Sequence, residues 1–188
     1  NGTNYCHFFY PELEKFSGPK KIEKVKNDLS NNLDNFDDKR QEGENDSYIC
    51  SLIRQDSVEE FISYINRSNI PISSRISPSI FETNSFLIKN KDTSLIEYSA
   101  FFGSIQIFQY LLLNNAELTS TLWLYVIHSK NAELIHLLES NRVHPPKHEN
   151  DDKTNNNKND DDNDYTECFI ESIKCHHNDI AEYIENNL

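Results

Sequence analysis

Methionine is absent from the 188 residues, glycine occurs four times and tryptophan once. The chain opens on Asn1 without an initiating methionine, as expected of a piece trimmed from a longer protein. The glycines, Gly2, Gly18, Gly43 and Gly103, stand isolated, which excludes a glycine-rich phosphate loop. The cysteines, Cys6, Cys50, Cys168 and Cys175, are too few and too far apart for a disulfide scaffold, and none forms a CxxC pair. They fit a reducing compartment, so a cytoplasmic location is expected. No apolar run approaches the roughly 18–20 residues that cross a bilayer, and the opening residues show no basic and apolar leader. No membrane partner is expected.

Positive charge is also scarce. Eighteen Lys and Arg stand against 31 Asp and Glu, a formal charge of −13, which argues against a broad phosphate-binding surface. The densest basic group, Lys20, Lys21, Lys24 and Lys26, is small and bordered by acidic stretches, so no nucleic-acid partner is expected. Asn1-Gly2-Thr3 and Asn66-Arg67-Ser68 match the glycosylation triplet, which carries meaning only on a secretory route.

Residues 1–46 divide into an aromatic opening with Tyr5, Phe8, Phe9, Tyr10, Leu13 and Phe16, then a charged stretch. Ile22, Val25, Leu29, Leu33 and Phe36 recur at three and four, which predicts a helix from about Pro19 to Phe36. Residues 37–46 have little to bury and read as a linker.

From Ser47 the chain repeats itself. Residues 94–118, SLIEYSAFFGSIQIFQYLLLNNAEL, read as two short helices meeting near Gly103, and copies begin at Ser47, Ser120 and Thr166. Ser94 with Glu97 three residues on makes a capping box. Three columns are bulky: Phe61, Phe108, Leu134, Ile180; then Tyr64, Leu111, Leu137, Tyr183; then Ile65, Leu112, Leu138, Ile184. That spacing gives each unit a face that needs neighbours to cover it. Asp56, Ser129 and Cys175 align with Gly103 at the turn, where Ser and Cys are unexpected unless the register shifts by one. Insertions interrupt the copies at 67–92 and 145–164, and 147–163 are so polar that disorder is expected.

On these residues the chain resembles an ankyrin repeat. Ser94, Leu95, Ile96 and Ala100 lie on the opening signature, and Gly103, Ile107, Leu111, Leu112 and Leu113 follow the second half. With TLWLYVIHSKNAELIHLLE and IESIKCHHNDIAEYI, residues 44–188 are more narrowly similar to a divergent ankyrin-like family of unknown function expanded in parasitic protists. Leu95 and Glu97 depart from the usual Pro and His, and the 26-residue step to the third copy is shorter than the usual 33 or so. The resemblance implies an all-α solenoid of about four helix-turn-helix units with an N-terminal helical segment. It also implies binding of another protein, whose basic surface would complement the charge. The contact positions it implies are Arg54, Glu97, Phe101 and Trp123 on the first helices, with the loops around Asn115 and Asn141. Trp123 reads either as an exposed anchor or as a ring lying across its neighbour.

No catalytic residue, metal ligand or cofactor is assigned, and the chain is expected not to be an enzyme. A hydrolase triad has no support in the pattern. Two alternatives stay open. One is an architectural subunit of a large assembly; the other is a metal-regulated or catalytic protein using the Cys168, Cys175, His176 and His177 region, the densest group of metal-capable side chains.

Overall fold

The computed structural model describes residues 6–16, 18, 23, 25–27, 29, 35–146 and 164–188. Most of the helix expected over Pro19–Phe36, three of the four clustered lysines, and 147–163 lie outside the described residues. The described helices are α1 (Tyr10–Phe16), α2 (Phe36–Glu42), α3 (Tyr48–Arg54), α4 (Val58–Arg67), α5 (Ser85–Lys89), α6 (Leu95–Phe102), α7 (Ile105–Leu113), α8 (Leu122–Ser129), α9 (Ala132–Ser140), α10 (Thr166–Lys174) and α11 (Asn178–Asn187). The fold is all-α. Among the described residues the β-structure is one isolated bridge between Arg75 and Ser94, and no helix is long and apolar enough to cross a membrane.

The chain forms two compact units. The first comprises residues 1–51 and 76–93, so much of the 67–92 insertion packs with the N-terminal segment. Its core is Tyr10, Leu29, Phe36 and Phe81, with Val25 and Ile80 against it. Phe36 meets Phe81 edge to face at 5.2 Å, and Arg40 holds the Glu12 carboxylate through both terminal nitrogens. The linker reading of residues 37–46 is corrected, because α2 occupies most of it. Phe36 supplies a buried anchor, Asp37 and Asp38 suit the first turn, and Gly43 ends the helix at φ 69°. A Cβ on Gly43 would meet Thr83 Oγ1 at 2.8 Å, and Thr83 donates both its N–H and its hydroxyl to the Gly43 carbonyl. Asn35, at φ 56°, stands immediately before α2.

The second unit, residues 52–75 and 94–188, holds helices that follow one another in pairs. Each pair reverses through one residue at positive φ: Asp56 at 50°, Gly103 at 70°, Lys130 at 55° and His176 at 58°. The turn is thus one residue later in the last two copies than the expected Ser129 and Cys175. The residue after the turn donates its N–H back to the first helix in three of them, Ser57 to Leu52, Ser104 to Ser99 and His177 to Ser172. These are Schellman closures, and they demand the left-handed residue just before the donor. The second helices end alike at Asn69, Asn115 and Arg142, with Ile70, Ala116 and Val143 donating to Ile65, Leu111 and Leu138.

The corrected register explains the core of the last two pairs. Phe61, Ile65, Phe108, Leu111, Leu134, Leu138, Ile180 and Ile184 are buried, whereas Tyr64, Leu112, Leu137 and Tyr183 are half-buried. With Lys130 and His176 as turns, Leu111 aligns with Leu138 and Ile184 and not with Leu137 and Tyr183. α6 packs on α8, α8 on α10, and α4 on α7. Side chains after the turns tie the pairs together: Ser104 Oγ donates to Ile53 O (2.5 Å), Asn131 Nδ2 to Gly103 O (3.4 Å) and His177 Nδ1 to Ile127 O (2.8 Å). In exchange the Asp56 carboxylate accepts the N–H groups of Gln106 and Ile107 at the start of α7.

Glu97 is buried, at 5% exposure. Its Oε2 accepts from Ser94 N (2.8 Å) and Ser94 Oγ (2.7 Å), and its Oε1 from Thr119 Oγ1 (3.1 Å) and Thr121 Oγ1 (2.7 Å). Burial opposes the charge, but the Ser94 N–H and the Thr121, Ser94 and Thr119 hydroxyls outweigh it and hold the carboxyl below its ordinary range. A depressed carboxyl pKa contributes stability above its unfolded value, and that stability is lost as pH falls through the folded value. Glu97→Gln is therefore expected to melt below wild type at pH 7, by about 1–3 kcal/mol in unfolding free energy. The gap should narrow below about pH 4; an equal gap at both pH values in thermal melts would contradict this assignment.

The turns give a second expectation. Gly103→Ala meets only ordinary contacts, the nearest being Ser129 Cβ at 3.5 Å, so its cost is backbone strain of about 1 kcal/mol. Lys130→Gly relieves the same strain and should raise stability by about 0.5–1 kcal/mol, less the entropy of the added glycine. Urea unfolding of the two variants should move in opposite directions.

A candidate metal centre between two helices

Glu171 and Cys175 are four residues apart, which sets them on one face at the end of α10. His128 lies in the last turn of α8, the helix on which α10 packs. The Schellman closure after α10 and the His177–Ile127 hydrogen bond fix the two helix ends beside each other. One donor atom from each of His128, Glu171 and Cys175 then lies within 4.8 Å of the other two.

His128 Nε2 is 3.0 Å from Glu171 Oε1, and the other Glu171 oxygen accepts from Lys174 Nζ at 3.0 Å. Cys175 Sγ is 3.4 Å from His128 Nδ1 and 3.7 Å from Nε2. Such similar distances to two nitrogens on opposite sides of a ring carbon place the sulfur over the ring, not in line with either lone pair. The imidazole also lies against Phe101, centroids 4.9 Å apart at 30°. Binding an ion thus requires the imidazole to turn, while the backbone is already placed.

Burial lowers the His128 pKa, with Glu171 opposing, which favours the neutral ring that ligates metals. Burial pushes the Cys175 thiol up to about 11, with Glu171 adding to it. The negative ends of two helix dipoles meet here, which disfavours a bare thiolate and favours a cation. A divalent ion would therefore take the proton's place on sulfur. One nitrogen, one carboxylate oxygen and one sulfur form a donor set suited to zinc.

These three side chains could hold a metal ion, where the sequence reading assigned no ligand. The expectation that the chain is not an enzyme is overturned, because three protein ligands would leave a coordination position for water or substrate, the arrangement from which metal ions act as Lewis acids. Of the region singled out in the sequence, only Cys175 belongs to the group of three. Cys168 is fully buried, its thiol pushed up to about 12 by burial and by Glu167 and Asp164. His176 is exposed at the turn, and His177 bonds to Ile127 O. His128 and Glu171 escape sequence reading because 43 residues separate them; the four-residue spacing of Glu171 and Cys175 is the one local signal.

The contact positions implied by the repeat are scattered. Glu97 and Trp123 are buried, Trp123 donating its indole N–H to Val143 O at 2.7 Å and meeting Tyr165 edge to face. Neither offers a face to a partner in this arrangement. Arg54 donates to Tyr98 OH at 3.0 Å and lies over the Phe102 ring. Phe101 is half-buried against His128. Asn115 is exposed at φ 62°, and Asn141 is exposed with its side-chain amide on Leu137 O.

No protein family, characterised protein or solved structure matches this chain.

Proposed function

We propose that the chain is an ankyrin-like stack of helix pairs whose last two pairs share a divalent transition-metal site, and that it works as a metal-regulated protein. The observation that carries this reading is the convergence of His128, Glu171 and Cys175 on one point between α8 and α10. The left-handed turns, the Ser94 capping box and the buried columns support the ankyrin plan.

The ion cross-links two helices that are otherwise joined by packing and a few polar contacts, among them Lys130 with Asp179 and His177 with Ile127. Binding to the folded state alone stabilises it by mass action. The ion thereby sets how firmly α10 and α11 seat on α8, and with them the surface offered to a protein partner. Its fourth coordination position gives the same site a capacity for Lewis-acid chemistry.

The purified chain, stripped with chelator, is expected to bind one zinc ion by calorimetry. Its unfolding free energy should rise by about 2.7 kcal/mol when free zinc is at one hundred times Kd. Cys175→Ala and His128→Ala should each abolish the effect while leaving the metal-free melt close to wild type. Affinity should weaken as pH falls, because ligation must remove the proton that burial holds on Cys175. Absence of zinc binding by the wild-type chain would defeat the reading.

A further inference from the structure

We infer that His177 is a fourth protein ligand of this ion, acting through Nε2, a step that rests on the three-residue site above. A carbonyl oxygen only accepts hydrogen bonds, so the 2.8 Å contact with Ile127 O places a proton on His177 Nδ1. In the neutral ring the lone pair is then on Nε2. Metal-ligating histidines characteristically donate their other ring N–H to a carbonyl or carboxylate in this way.

The anchor is itself part of the site, since Ile127 immediately precedes His128. His177 is two residues beyond Cys175, and the left-handed turn at His176 reverses the chain between them. It is half-buried.

A comparison within the chain shows what the imidazole adds. The residue after the turn in the two preceding pairs is Ser104 and Asn131, and each already makes the cross-pair hydrogen bond. A hydroxyl or an amide is therefore sufficient for the structural role. What the histidine supplies beyond it is a second ring nitrogen with a lone pair, on a side chain anchored to the residue that precedes His128. As the side chains stand His177 is outside the group of three, so ligation through Nε2 requires its ring to move. In the resting site His177 fills the position that water or a substrate takes on displacing it.

The test uses the full chain, zinc in competition with a chromophoric chelator, and cobalt(II) as a spectroscopic stand-in. His177→Asn keeps the cross-pair donor, as Asn131 does, and removes only the imidazole. Expected are an unchanged metal-free melt, zinc affinity lower by about tenfold or more, and a cobalt d–d spectrum altered in position and intensity. Zinc should also shield His177 from diethyl pyrocarbonate in the wild-type chain, a reading that needs no variant to fold. Should His177→Asn bind zinc and colour cobalt as wild type does while Cys175→Ala does neither, His177 is a structural donor and the three-ligand site stands. Should His177 stay reactive in zinc-loaded protein, the inference also fails. Should wild type take up no zinc at all, both readings fall together.

Discussion

The second unit depends on one backbone constraint: each helix pair must reverse through a single residue at positive φ. That residue closes the first helix, and the residue after it, free of the helix, reaches back to a carbonyl of the preceding pair. Ser104 to Ile53, Asn131 to Gly103 and His177 to Ile127 are three versions of one contact. Each gives a helix-end carbonyl a partner from the next pair, in addition to the Asp56 and Lys130 N–H groups that Ile53 and Ile127 already accept. Packing supplies most of the stability of such a stack, but these bonds set its register.

Only one of the four turns uses glycine. Asp56, Lys130 and His176 bear a strain of about 1–2 kcal/mol each that glycine would not. Asp56 recovers some of it, since the same residue caps α7. Lys130 recovers less, through an exposed ion pair with Asp179 that is worth little in water. His176 makes the reversal that brings Cys175 and His177 to the end of α8.

Helix periodicity was legible because it is local. Phe61, Phe108, Leu134 and Ile180 were assigned to a buried column, and all four are buried. The Ser94–Glu97 box was legible for the same reason. The turn register in the last two copies showed only as a misfit, since Ser129 and Cys175 are unexpected at a left-handed turn unless the register shifts by one, as it does, to Lys130 and His176. Glu97 was read as a contact residue because the resemblance puts the first helices on the binding face; here its carboxylate is instead bonded by Thr119 and Thr121, from the segment before α8. Trp123 finds its hydrogen-bond acceptor 20 residues on, at Val143. The metal-capable group was invisible for a similar reason, as half of its geometry is the packing of α8 on α10.

The site also repeats a contact made earlier in the chain. Counted from the turns, Arg54 and His128 occupy the same place, two residues before Asp56 and Lys130. Arg54 reaches the next pair at Tyr98 and Phe102, five residues and one residue before Gly103. His128 reaches Glu171 and Cys175, again five residues and one residue before the turn at His176. The backbone thus offers one slot twice. Filled with guanidinium, phenol and phenyl it is a cation–aromatic clasp, closed to chemistry and useful for holding two pairs together. Filled with imidazole, carboxylate and thiol it gathers three lone-pair donors at the joined negative ends of two helices. The stack accounts for the position of the slot, and the three side chains for its chemistry. The two fillings stand at corresponding positions counted from the turns, so the side chains and not the backbone set the chemistry of each junction.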